Sequence, residues 1–216
     1  MNWQAVTFVT IGTGYEREVL RLKASCDACG VPLRIFRFQP LGSWRANLNF
    51  KSQSILDAMA GYPEKDIVFI DADAVVRSYP RLFDVLSEAR KHDIAAHFFM
   101  QSRVERGELL SGTLWFQNNP TAQTLVQAWH AHGEANPNVR HQRCLQAVLA
   151  RYGSNIRIYR LPLEYTCIFD HPARRGVVPV IEHFQASRKY RRILSPKKVT
   201  PKPTGGPFQL ATGGAR

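Results

Sequence analysis

Hydrophobic positions along the chain switch repeatedly between a spacing of two and a spacing of three to four. Residues 5–12 (AVTFVTIG) form a β-branched run ending in Gly and read as a first strand. Tyr15, Val19, Leu22 and Cys26 then recur at i, i+4, i+7 and i+11, the stripe of an amphipathic helix that stops at Gly30. Leu33–Phe38 alternates apolar and polar positions as a second strand. Residues 47–60 return to helical spacing, with Ile55, Leu56 and Met59 on one face. Asp66–Ile70 is the most continuous apolar run and fits a central parallel strand buried on both faces. Pro80 opens a third helix with Leu82, Phe83, Leu86 and Ala89 inward, and Ile94–Phe99 is the next strand.

The second half continues the alternation less regularly. Residues 109–117 read as a strand, and Asn118-Asn119-Pro120 starts a helix carrying Ala122, Leu125, Val126 and Trp129 at i, i+3, i+4 and i+7. A loop at 133–140 leads to a helix with Leu145, Val148, Leu149 and Tyr152 on one side, and residues 156–161 and 177–184 complete the strands. Alternation of this kind predicts an α/β sandwich around a mostly parallel central sheet. No linker divides it, so the expected organisation is one domain over residues 1–190 and a Pro/Gly-rich basic tail, expected to be disordered, over 191–216.

Charge changes the picture only at the C-terminal end. The net charge is +12, yet eight of the 29 basic residues lie from Arg188 onward, where no acid occurs. The remaining 21 face 17 acidic residues, an ordinary surface. A basic tail either recruits a phosphate-rich partner through counterion release or simply solubilises the chain end. Four cysteines without a signal-peptide pattern do not form a disulfide framework, and Cys26 and Cys29 read as buried helix-end residues. No run of about 18 apolar residues is present. A cytoplasmic location is therefore expected.

The sharpest chemical signal is Asp71-Ala72-Asp73, directly after the apolar run 67–70. In open α/β sheets ligands gather beyond the carboxyl ends of the strands. Carboxylates at i and i+2 of an extended segment point to the same side and repel unless a cation lies beside them. Hard oxygen donors suit Mg²⁺ or Mn²⁺, which keep positions open for phosphate oxygens.

The series of segments resembles the nucleotide-sugar-dependent glycosyltransferases of the GT-A fold. It is carried by Lys51-Ser52-Gln53-Ser54, by Ile67 through Asp73, by Ser111-Gly112-Thr113, by His141-Gln142 opening a helix and by Glu182-His183-Phe184. The resemblance implies an α/β/α sandwich in which Asp71-Ala72-Asp73 binds a nucleoside-diphosphate sugar, UDP-sugar foremost, through Mn²⁺ or Mg²⁺. It implies His183 as a third metal ligand, Ser111 and Gly112 in the sugar pocket and Lys51 against donor phosphate. The glycine-rich turn after the first strand, with Thr10, Gly12, Thr13 and Tyr15, offers backbone N–H groups, hydroxyls and a ring to the nucleoside. Gly112 also fits a β-bulge. Family members often carry an acid where this chain has His141, so the catalytic candidates become Gln142 and the carboxylate of Glu164, with Asp170 as another source. Inverting and retaining outcomes both stay open, as does the transferred sugar, a hexose or a pentose.

Two other readings compete. A sugar nucleotidyltransferase of similar fold needs a long Gly-rich basic loop after the first strand, against which the short Gly12–Tyr15 turn speaks. A nucleic-acid-binding protein acting through its tail has no zinc-finger, basic-zipper or aromatic RNA-binding signature to support it. Within the glycosyltransferase reading, the tail suits an anionic acceptor, such as modified DNA, a lipid-linked glycan or an envelope precursor.

Overall fold

A computed structural model describes residues 1–99 and 107–194, with backbone alone for 191–194. The expectation of a disordered basic tail falls, beyond Leu194, outside these residues. The elements in order are β1 (Trp3–Thr10), α1 (Tyr15–Ala28), β2 (Leu33–Phe38), α2 (Trp44–Gly61), β3 (Asp66–Ile70), β4 (Ala74–Val76), α3 (Leu82–Ala89) and β5 (Ile94–Phe99). They continue as β6 (Glu108–Phe116), α4 (Pro120–Ala135), α5 (His141–Tyr152), β7 (Ile158–Arg160), β8 (Cys167–Ile168), β9 (Ile181–His183) and α6 (Ser187–Leu194). α6 crosses the boundary expected at residue 190.

The main sheet has the order β2-β1-β3-β6-β5-β7, and a second sheet has the order β4-β9-β8. In the main sheet only β6 runs against the rest: it is antiparallel to both β3 and β5, while the other neighbours pair in parallel. The fold is thus mixed α/β with a mostly parallel central sheet. β3 is buried throughout, as its apolar run demands, but it has one parallel and one antiparallel neighbour.

Side-chain alternation along the strands builds two cores. Val6, Ile67, Phe69, Ile94 and Leu114 point to one face, covered by Ile55 and Met59 of α2, Leu125 and Trp129 of α4 and Leu145 and Val148 of α5. Ala5, Val68, Ile70, Ala95 and Trp115 point to the other, covered by Leu22 and Cys26 of α1, Phe83 and Leu86 of α3 and Ile181 of β9. Ser43 and Asn119 cap α2 and α4 through their side-chain oxygens, and Pro120 follows its cap in the first turn. Cys26 is buried at the end of α1 and Cys29 is half-buried beside it, both as free thiols. Of the expected strand 177–184 only Ile181–His183 forms, because it pairs on both sides, with β4 and with β8.

Candidate functional site

The site sits where β3 ends and the chain leaves the sheet. Asp71 N–H donates to the Gly112 carbonyl at 2.8 Å, and Ala74 N–H closes the turn onto the Asp71 carbonyl at 3.0 Å. This turn sends the chain into β4, whose Ala74 pairs with His183 of β9. The second sheet thereby carries His183 back to the two aspartates. One ligand atom each from Asp71, Asp73 and His183 lie within 4.8 Å of one another.

Each of the three is held from behind. Asp73 Oδ2 accepts the Ala186 backbone N–H at 2.7 Å. His183 Nε2 lies 2.9 Å from Thr113 Oγ1. In the tautomer that donates Nε2–H to that hydroxyl, Nδ1 keeps a lone pair for a metal, the usual arrangement around a histidine ligand. Asp71 Oδ1 accepts from Lys51 Nζ at 2.7 Å.

Gly112 matters through its neighbour. A Cβ there would lie 2.8 Å from His183 Cε1 and 3.0 Å from Nδ1, so the imidazole occupies the space a side chain would need. The β5–β6 register also slips at this point: Ala96 pairs with Leu114, while His97 pairs with Leu110. The bulge and the close approach coincide, and together they let β6 bow around the histidine.

Burial sets the electrostatics. Burial, with the Asp71 charge next to it, pushes the Asp73 carboxyl up to about 6, against the Ala186 N–H that favours its ionised form. Burial drives His183 down to about 4, with Asp71 working the other way and Lys51 reinforcing the drop. The imidazole is therefore neutral near pH 7, the form that binds metals. Two carboxylates and a neutral imidazole at this spacing suit a hard divalent ion.

A cavity of about 200 Å³ opens beside this cluster. Of the residues expected from sequence, Thr10, Tyr15, Asp71, Ala72, Asp73, Ser111, Gly112, Gln142 and His183 line it. Gly12 and Thr13 do not line it; Thr13 Oγ1 donates to the Thr10 carbonyl and shapes the turn instead. Glu164 does not line it either: its short helical turn (Leu163–Tyr165) precedes β8, and its carbonyl accepts the Val180 N–H. Asp170 pairs with Arg188 on the surface. Lys51, which the resemblance implies against donor phosphate, is only 1% exposed and lies beneath the cavity.

The structure adds residues that sequence reasoning left out. Trp44, in the first turn of α2, lines the cavity together with Tyr15, whose hydroxyl burial raises well above its ordinary range. His141 also lines it, with Nε2 3.0 Å from Ser111 Oγ. Burial holds this imidazole well below its ordinary pKa, and its Nδ1 has no hydrogen-bond partner among the described residues. Gln142 Oε1 faces Ser111 N at 3.4 Å, while Gln142 Nε2 donates to Glu108 at 3.1 Å. From the C-terminal side, the Tyr190 ring of α6 lies tilted against that of Tyr15 with centroids 5.1 Å apart, and its hydroxyl donates to Glu18 at 3.0 Å. Gly14 admits it, since a Cβ there would fall 2.1 Å from the Tyr190 ring. The sequence clue to Trp44 is its position in the first turn of a helix that starts at this end of the sheet, while His141 already stands in the His141-Gln142 segment of the resemblance, where it was given no role.

Compared by sequence, the chain matches no protein-family model and no curated protein. Solved structures do match. A glycosyltransferase involved in the glycosylation of the major capsid of PBCV-1 superposes with a TM-score of 0.63 at 14% identity, covering 87% of this chain and 96% of that one. The glycosyltransferase GlyE of Streptococcus pneumoniae TIGR4 is similar in its apo form, with a TM-score of 0.53, 16% identity and 85% of this chain covered. A second GlyE structure gives 0.54, 15% and 84%. This chain spans about half of GlyE, 54% in both structures. The fold is a glycosyltransferase fold.

Proposed function

We propose that the protein is a metal-dependent glycosyltransferase of the GT-A type that moves a sugar from a nucleoside-diphosphate donor to an acceptor. The observation that carries this reading is the convergence of Asp71, Asp73 and His183 beside a cavity at the ligand end of a glycosyltransferase fold. Asp71, Asp73 and His183 hold the divalent ion, Mn²⁺ or Mg²⁺. When bound, that ion supplies Lewis-acid charge to a departing diphosphate.

The remaining groups bind and orient. Tyr15, Trp44 and Thr10 form the wall that receives the nucleoside, where a base stacks on an aromatic ring. Ser111, Gly112 and Gln142 form the floor for the donor sugar, and the Glu108 and Ser111 contacts fix the Gln142 amide in one orientation. Gln142 is the polar side chain set to face the sugar, while Glu164 stands away from the cavity.

The test is incubation with a panel of nucleoside-diphosphate sugars and Mn²⁺, following release of the nucleoside diphosphate. Slow metal-dependent release from at least one donor is expected. No release from any donor, together with no Mn²⁺-dependent nucleotide binding, would remove the reading.

A further inference from the structure

Lys51 is the only Lys or Arg among the buried residues described. Its ammonium donates to Asp71 Oδ1 at 2.7 Å and to the Ser111 carbonyl at 2.9 Å, and it lies 4.6 Å from the centre of the Phe69 ring. Three fixed partners hold it in place, so it cannot swing into solvent as surface lysines do. One positive charge is therefore built permanently against a carboxylate of the candidate metal centre.

That charge alters what the centre accepts. By formal charge the two carboxylates of Asp71 and Asp73 and the single ammonium of Lys51 leave one net negative charge around the ligand atoms. A divalent ion entering alone turns this into a net positive charge, and it meets the ammonium held at Asp71. An ion entering with a diphosphate meets no such excess, because the diphosphate's negative charge compensates both cations.

We propose that Lys51 is a built-in counter-cation, so that the Asp71–Asp73–His183 centre takes up its divalent ion only together with an anionic diphosphate. The proposal rests on the reading of these residues as a metal–diphosphate centre. It assigns Lys51 a role in binding order: the bare centre stays largely metal-free, and the donor brings the ion with it. Lys51 thus acts through Asp71 and the charge balance of the site, and direct contact with donor phosphate is not required.

The experiment measures Mn²⁺ binding by calorimetry at constant ionic strength, with and without UDP as the diphosphate probe, on the full chain. Wild type, Lys51→Met and Lys51→Gln are compared; the first keeps the shape and the second keeps hydrogen-bond donors. Wild type is expected to bind Mn²⁺ alone weakly and at least about tenfold more tightly with UDP. Both variants should bind Mn²⁺ alone about tenfold or more tighter than wild type and lose a corresponding part of the UDP effect. Equal wild-type affinity with and without UDP overturns the proposal and needs no variant, so a substitution that fails to fold does not shelter it. Variants that bind Mn²⁺ alone no tighter than wild type overturn it while leaving the metal reading intact. Wild type that takes up no Mn²⁺ even with UDP overturns both.

Discussion

At the end of the main sheet where β5 and β7 begin, Asp93 is buried and answered. Its carboxylate accepts from Arg157 Nη2 at 2.7 Å, Arg157 N at 2.9 Å, Arg157 Nε at 3.0 Å and Asn119 Nδ2 at 3.0 Å. Burial alone would raise it, but these bonds outweigh burial and hold it at about 2. At the other end, where β3 stops, the carboxylate of Asp73 is buried beside that of Asp71 and stands at about 6. Asp66, at the same end as Asp93, is also buried, and burial raises its carboxyl. A raised buried carboxyl therefore occurs at both ends, and what sets the Asp73 end apart is that two carboxylates and an imidazole converge there beside a cavity.

Substitution of the aspartates should break the contrast most strongly. Asp73→Asn and Asp71→Asn should each abolish Mn²⁺-dependent UDP binding in calorimetry. Asp73→Asn should keep or raise the unfolding temperature, since it removes a charge that the fold disfavours. Asp71→Asn should lower it, because Lys51 then loses its charge partner. Asp93→Asn should do the reverse of Asp73→Asn, lowering the unfolding temperature and leaving nucleotide binding unchanged. Mn²⁺–UDP binding that survives in both Asp71 and Asp73 variants would dissolve the distinction between the two ends.

Smaller effects follow at His183, the third candidate ligand. His183→Ala should weaken Mn²⁺ affinity, measured with UDP present, by about 10–100-fold, as for loss of a ligand or its close support. Unchanged affinity would assign His183 to packing. Gly112→Ala should act through the same ring: the added methyl displaces His183, weakening Mn²⁺ by about tenfold and the fold by about 1–3 kcal/mol, the scale of overpacking. A variant with wild-type metal affinity would show that the imidazole adjusts without leaving the site.

The smallest effect is in pH dependence, where the two ends differ in sign. Asp73 has a folded pKa raised from 3.8 to about 6, so its contribution to stability is full below 3.8 and is lost as pH rises through 6. Asp93, lowered to about 2, contributes above 3.8 and loses that contribution as pH falls through 2. His183, lowered from 6.5 to about 4, favours the fold increasingly as pH rises from 4 to 6.5 and so opposes Asp73 in the same window. Urea unfolding of chelator-treated protein should therefore show a shallow wild-type profile between pH 4 and 6.5. In Asp73→Asn the His183 slope should emerge, the variant gaining on wild type as pH rises. Parallel profiles would mean that Asp73 titrates as an ordinary exposed acid.

What could be read from sequence was whatever repeats over several residues. The Val19–Leu22–Cys26 stripe, the Ala122–Leu125–Val126–Trp129 face of α4 and the apolar run of β3 each extend over enough positions for periodicity to show, and each is buried. β9 falls within the expected strand 177–184, but its partners β4 and β8 have three and two residues, too few to display a period, so the second sheet that delivers His183 was not legible. The burial of Lys51 was not legible because its partners, Asp71 and Ser111, are 20 and 60 positions away. Glu164 was considered only as a carboxylate in the right part of the chain, and sequence position carries no information on which way a short turn faces.

The Ala186 N–H on Asp73 spans 113 positions of sequence. On a ribosome, where chains emerge from the N-terminus and domains fold as units, the six strands of the main sheet are all available once residue 160 is out. Asp71 and Asp73 have then emerged, but β9 and Ala186 have not. The Asp71–Asp73–His183 cluster can therefore close only after every strand of the main sheet has emerged, and the order of translation places the candidate site behind the main sheet.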